Sequence, residues 1–268
     1  MISVVGIGNT GCQITDVLST YNHYDVFKID EGINIKKQKT AEQYEKKCPS
    51  FKKNFSSFSD KVYVFLNCSG NISGITLRIL QQLKNKELNA VCVSTDPSLL
   101  STSGKMQQNI VQGVLQEYAR SGLLQKLYLV DNQCVEDLIG DISLTEYYQK
   151  INEVIAYTFH TMMFFENAKS VLSSKEEKTD ISRISTFGIL DSEKNKKLFY
   201  DIKEVRFEKY YYSKSKDELD KNKKILQEIK EDLVEEENIS KSFSIFESET
   251  QDQNTYIELS THIVQNFV

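Results

Sequence analysis

The sequence predicts an α/β protein: a Rossmann-like parallel sheet, a long central helix, and a smaller α+β unit after it. Three observations predict this. Short apolar runs such as KVYVFLN (61–67) and KLYLVD (126–131) show no alternation, which marks strands buried on both faces. Helical patterns separate these runs, as parallel strands require. Beyond residue 184 strands dominate, and one of them alternates.

In chain order, ISVVG (2–6) reads as a buried strand and 11–21 as a helix entered through glycines. Asp25–Ile29 is a second strand. The lysine-rich stretch 36–60 has little periodicity and reads as loop and short helix. Strand 61–67 feeds a second glycine-containing turn, CSGNISG (68–74), and a helix over 74–86. NAVCVST (89–95) is a strand, 104–120 a helix and 126–131 a strand. From Ser143 to about Ser170 runs one helical pattern, with Leu144, Tyr147, Tyr148, Ile151, Val154, Ile155, Phe159, Met162 and Met163 at i+3/i+4 spacing. Its apolar residues spread beyond one stripe, so the helix lies between two layers. SSKEEKTD (173–180) reads as a connector. Strands at 185–191, 204–213, 241–248 and 255–265 follow, with an amphipathic helix over 216–236 that points Leu219, Ile225, Leu226, Ile229 and Leu233 inward. The expected division is 1–142, a nucleotide-binding domain; 143–172, the central helix; and 173–268, an α+β domain that opens with an acidic loop at 173–183.

Composition narrows the function. A net charge of −5 gives no general affinity for nucleic acid or acidic lipid. No apolar run approaches the ~20 residues of a membrane span, and the N-terminus enters a strand without a leader pattern. Five scattered cysteines and three histidines argue against a disulfide frame and against a metal site. The expected compartment is a reducing cytoplasm, with no membrane and no direct nucleic-acid partner.

The chemistry concentrates in the glycine turns. VVGIGNTGCQITDVL (4–18) holds Gly6, Gly8 and Gly11 in G-x-G-x-x-G order. Asp30 ends the second strand, where a dinucleotide fold places its ribose-binding acid. That pair alone admits a nicotinamide-dependent enzyme. The second turn, at 68–74, favours a mononucleotide held by several strand-to-helix loops, each aiming backbone N–H groups at anionic oxygens.

On these residues the chain resembles the tubulin/FtsZ superfamily of GTP-dependent filament proteins, in particular its small phage and plasmid members. The likeness runs in order along nearly the whole chain. VVGIGNTGCQITDVL resembles the family's first nucleotide loop and helix, which implies contacts from Gly8, Asn9, Thr10, Gly11, Cys12 and Gln13. FKIDEGINIK resembles the second loop, with Asp30 as its acid, and VSTDPSLLSTSGK the ribose-contacting loop, with Pro97. The stretch from Tyr128 to Ile155 resembles the approach to the family's core helix. There Tyr148 falls where an aromatic ring stacks on guanine and Asn152, one turn on, where an asparagine reads its edge. Asn132 matches another family asparagine. In the glycine-rich signature, Gly70, Ser73 and Gly74 match, Asn71 replaces a threonine and Ile72 a glycine. Ser69 and Ser73 retain hydroxyls for phosphate, while a β-branched Ile72 limits close approach to the backbone.

The resemblance implies GTP or GDP as cofactor, with Mg²⁺ held through phosphate. It implies assembly into a head-to-tail homopolymer, with an adaptor protein as a further partner. Hydrolysis would be completed between subunits by the acidic loop after the core helix, where a carboxylate orients the attacking water. Glu177 and Asp180 keep the family's acidic spacing and are the catalytic candidates; Lys175 replaces the usual asparagine. The same acids also suit a helix N-terminus. No Walker lysine is present, which argues against a P-loop GTPase. The likeness runs to the last strand pattern, so the C-terminal helices or adaptor-binding tail of many family members are not expected here. Cellular use would be to position or segregate DNA or virions in a prokaryote. The alternative is a degenerate relative, a scaffold or filament cap with weak or no nucleotide binding.

Overall fold

A computed structural model describes residues 1–174, 181–222, 224–233, 237–248 and 254–266. The first half runs β1 (Ile2–Ile7), α1 (Gly8–Leu18), β2 (Tyr24–Ile29), α2 (Ala41–Lys46), α3 (Lys52–Phe55), β3 (Lys61–Asn67), α4 (Thr76–Gln82), β4 (Glu87–Ser94), α5 (Thr102–Arg120), β5 (Lys126–Asp131) and α6 (Asn132–Ile139). The central helix α7 (Tyr147–Asn167) follows. The second half runs β6 (Leu172–Ser173), β7 (Ile184–Leu190), β8 (Lys196–Leu198), β9 (Phe207–Lys214), α8 (Lys216–Lys221), α9 (Ile225–Asp232), β10 (Ser240–Glu247) and β11 (Thr255–Thr261).

Among the described residues the strands form one sheet, ordered β2-β1-β3-β4-β5-β7-β11-β9-β10-β6, with β8 beside β7. Every pairing from β2 to β7 is parallel. Beyond β7 the sheet turns mixed: β11 runs antiparallel to both β7 and β9, while β10 runs parallel to β9.

The unalternating strands are explained by cover on both faces. Val62, Val64 and Leu66 of β3 pack on one face with Ile79 of α4 and Leu115 of α5. Tyr63 and Phe65 point the other way, onto Ile14 of α1 and Ile155 and Phe159 of α7. The Phe159 ring meets Tyr63 and Phe65 edge-on at 5.0 Å. Helix α7 buries residues on several sides because α1 flanks it and the sheet lies beneath it.

Several expectations are corrected. Leu144 precedes α7 and is exposed, so the helix starts later than its apolar pattern. Residues 132–139 form a helix of their own, capped by the Asp131 carboxylate, which accepts from Gln133 N at 2.9 Å. The lysine-rich stretch folds as expected, as loop with the short helices α2 and α3, whose Tyr44 and Phe55 join Phe51 and Phe58 in the core. The 216–236 helix is two helices, and Leu226 faces outward while Ile225 and Ile229 face in. Cys68 and Cys92 form a disulfide with a Cα–Cα distance of 6.2 Å. They are 24 residues apart, but Cys68 directly follows β3 and Cys92 lies on the adjacent β4, both fully buried. No helix among the described residues is long and apolar enough to cross a membrane.

Candidate functional site

The C-terminal ends of β1, β2, β3 and β4 open into one cleft of about 630 Å³, within the ~300–1,000 Å³ of small-ligand sites. Open parallel sheets bind ligands at this end. Gly8, Asn9 and Thr10 bring the first turn of α1 to it, where backbone N–H groups have no intrahelical acceptor. Gly8 has φ +70°, which favours glycine, and a Cβ there would lie 2.7 Å from the Ile72 methyl. Gly11 has a packing role: a Cβ would lie 2.3 Å from the Phe65 carbonyl oxygen. Asp30 lines the cleft from the end of β2, its carboxylate accepting from Glu31 N at 2.8 Å. Ser69, Gly70 and Asn71 line it after β3, and Tyr148, half exposed, from the start of α7.

Other lining residues carried no sequence motif. Asn67 Nδ2 donates to Thr95 Oγ1 at 2.9 Å, and Asn67 Oδ1 accepts from Ser69 N at 2.9 Å and Ser69 Oγ at 2.6 Å. The turns after β3 and β4 are thereby joined. On the opposite wall Tyr44 donates to Glu31, and Lys37 Nζ lies 3.7 Å from the same carboxylate. The one available signal was position: Asn67 is the polar residue that ends an apolar run, and Thr95 stands two residues after another.

The remaining candidates lie off the lining. Asn152 is buried and donates from Nδ2 to Gln13 Oε1 at 2.6 Å; Gln13 Nε2 donates to Asn9 Oδ1 at 3.3 Å. A relay of carboxamides therefore runs from α7 through α1 to the cleft. Asn132 is buried, and its Oδ1 has no hydrogen-bond partner among the described residues. Cys12 is buried; desolvation, then the Asp30 charge, pushes its thiol up to about 12. Ser73 Oγ donates to the Cys68 carbonyl at 3.3 Å and accepts from Gln107 Nε2 at 3.0 Å. Gly74 sits under α2, where a Cβ would lie 2.2 Å from the Ala41 carbonyl oxygen. Pro97 lines a different cavity. Glu177 and Asp180 lie outside the described residues.

No protein-family model matches the chain, and no curated protein matches it by sequence. Solved structures do. An empty FtsZ dimer from M. jannaschii superimposes with TM-score 0.70 at 13% identity, over 97% of this chain and 88% of that one. A GTPγS-form protofilament of TubZ from Bacillus thuringiensis serovar israelensis gives 0.72 at 12% identity, over 98% and 87%. CetZ2 from Haloferax volcanii, a GTPγS-bound protofilament, gives 0.72 at 13%, over 97% and 92%. The chain has the tubulin/FtsZ fold. At these identities the likeness establishes architecture, and the site must be argued from this chain's own residues.

Within this tubulin/FtsZ fold the cleft offers an aromatic face, a carboxylate and hydrogen-bond donors. Tyr148 offers an exposed aromatic face and Asp30 a carboxylate for hydroxyl groups. The α1 amides and the Ser69 hydroxyl offer donors to phosphate. Among the described residues Lys37 is the one lysine or arginine on the lining, beside two acids, and Ile72 packs against the Gly8 turn.

Proposed function

We propose that this chain is a tubulin/FtsZ-like protein that binds a guanine nucleotide in the cleft and assembles head to tail into filaments. The observation that carries the reading is convergence. Gly8–Thr10, Asp30, Ser69–Asn71 and Tyr148 come from four separate stretches and meet in one cleft at the ends of parallel strands. The α1 amides and Ser69 would hold phosphate oxygens, and Mg²⁺ would be held through phosphate; Tyr148 would stack on the base and Asp30 accept from ribose. Asn152 is a positioning residue that acts through Gln13 and Asn9. The bound nucleotide supplies a phosphoanhydride whose hydrolysis would loosen the subunit contact. Glu177 and Asp180 of the next subunit orient the attacking water. A heterologous contact that does not close on itself yields an open filament, suited to positioning or segregating DNA or virions.

Ile72 favours a second reading, a scaffold that assembles without nucleotide, because its methyl lies against the Gly8 turn. Calorimetric titration with GDP and GTP, beside sedimentation with and without GTP, separates the two. The first reading expects GDP to bind, GTP to promote pelleting, and Ile72→Gly to tighten GTP binding at least about tenfold as apolar bulk leaves the cradle. Wild-type pelleting without nucleotide, with no binding even by Ile72→Gly, overturns it in favour of the scaffold. Phosphate release that rises no faster than linearly with protein concentration argues against a site shared between subunits.

A further inference from the structure

Across the loop 95–101 from the cleft lies a second cavity of about 760 Å³. It is walled by α5, by the junction of β5 and α6, and by the segments 200–204 and 263–266. Among the described residues it shares no lining residue with the cleft.

Helix α5 carries a ladder of three buried glutamines on one face: Gln108, Gln112 and Gln116, at i, i+4 and i+8. Two of them show what the ladder does. Gln108 accepts from Thr95 N at 2.9 Å and donates to Thr95 O at 3.0 Å. Gln116 accepts from Gln265 N at 2.6 Å and donates to Gln265 O at 3.1 Å. Each outer rung thus pairs with the N–H and C=O of one backbone residue outside the strands. The middle rung, Gln112, lines the cavity and is fully buried, and neither its Nε2 nor its Oε1 has a partner among the described residues. A buried carboxamide left unpaired is costly, so the pairing that its neighbours make marks what it lacks.

The rim supplies a second constraint. Among the described residues Asp96, Asp131, Asp201 and Glu204 border the cavity; Asp201 pairs with Lys203 and Glu204 with Arg206, which leaves Asp96 and Asp131 as the rim acids without a salt-bridge partner among those residues. Burial, with Asp96 and Asp137 nearby, holds the Asp131 carboxyl above its ordinary value, so an arriving cation would be welcome there. Pro97, Tyr200, Ile263 and Val264 give the walls apolar area.

We propose that this cavity binds an extended, basic peptide segment of a partner protein, one residue of which pairs its backbone N–H and C=O with Gln112. The segment completes the glutamine ladder as Thr95 and Gln265 do on either side. Its lysine or arginine side chains reach the acidic rim.

The test titrates the intact chain with a blocked lysine–valine–lysine tripeptide and its glutamate–valine–glutamate twin, followed by NMR chemical shifts. The lysine peptide is expected to bind and the glutamate twin to bind at least about tenfold more weakly. Gln112→Leu, close in volume, should weaken binding about tenfold through loss of two hydrogen bonds. It should also raise the melting temperature, because it removes an unpaired buried group. Asn109→Trp, on an exposed lining position, should block the mouth and leave the fold intact. Absence of lysine-peptide binding, equal binding of the twin, or undiminished binding by either variant overturns the proposal. So does a lowered melting temperature in Gln112→Leu, which would mean the carboxamide is already satisfied internally. None of these readings requires nucleotide, so the outcome is independent of the cleft.

Discussion

The two halves of the sheet bury themselves by different means. From β2 to β5 the strands carry apolar side chains on both faces, and Val62, Val64, Phe65 and Leu66 are fully buried under helices. From β9 to β11 the sheet buries acids. Glu208 is 2% exposed and is held by Lys196 at 2.5 Å, Lys241 at 3.9 Å and the Tyr210 hydroxyl at 2.5 Å. Glu258, 1% exposed, is paired with Lys126, which reaches across from β5. The first half is held by area and shape and the second partly by matched charge, so the halves should fail differently.

The largest expected effect breaks the charge. Lys126→Met leaves Glu258 buried without its lysine and should cost about 3–5 kcal/mol in chemical denaturation. Adding Glu258→Leu should restore most of that loss, since an apolar pair can replace a buried ion pair at little cost. A double variant no better than the single one would sink the idea that charge pairing, and not packing, governs this seam. In the first half, Leu129→Ala on β5 should cost about 2–5 kcal/mol by opening a cavity, and no second apolar deletion should rescue it.

The same contrast decides what was legible beforehand. Strands β3 and β5 match their expected bounds, because an apolar run on a doubly covered strand ends at the first polar residue facing water. Helix α6 is hard to read because its eight residues span barely two turns, so Val135, Leu138 and Ile139 show their i, i+3, i+4 spacing only once. The Cys68–Cys92 pairing and the ion pairs of Glu208 and Glu258 depend on strand order, which local sequence does not encode. The candidate cleft divides likewise. Residues within the glycine turns were legible because turn chemistry is local. Asn67, Thr95 and Tyr44 were not, since each reaches the cleft through a contact distant in sequence. Asn152 was placed on the right helix, but the relay through Gln13 that sets it behind the cleft wall is a tertiary fact.

A smaller effect probes α7, which joins the halves. His160 stacks on Tyr21 with ring centroids 3.6 Å apart, and its Nδ1 lies 3.2 Å from the Tyr24 hydroxyl. Burial, then the neighbouring His23, lowers its pKa from 6.5 to about 4. Between these values the unfolded chain binds the proton that the folded chain refuses, so His160 makes stability rise with pH and fall on acidification. His160→Phe keeps the stack and removes the titration. Its stability should change less than wild type between pH 6.5 and 4, and an identical slope would assign the acid sensitivity to other groups.

The smallest effect compares two helix caps. Ser101 Oγ accepts from Gly104 N at 3.2 Å at the start of α5, which buries Val111, Leu115 and Ala119. Ser215 forms a full capping box on α8: its Oγ accepts from Glu218 N at 3.3 Å, and its N donates to Glu218 Oε2 at 3.1 Å. Helix α8 buries none of its six residues. Ser101→Ala should therefore lower global stability by about 1 kcal/mol, because α5 unfolds only with the core. Ser215→Ala removes the richer hydrogen bonding yet should leave the global transition within about 0.5 kcal/mol, while amide exchange in α8 accelerates by local fraying. Equal global losses in the two variants would mean that α8 is tied to the core as firmly as α5, and that the contrast between the halves does not extend to their helices.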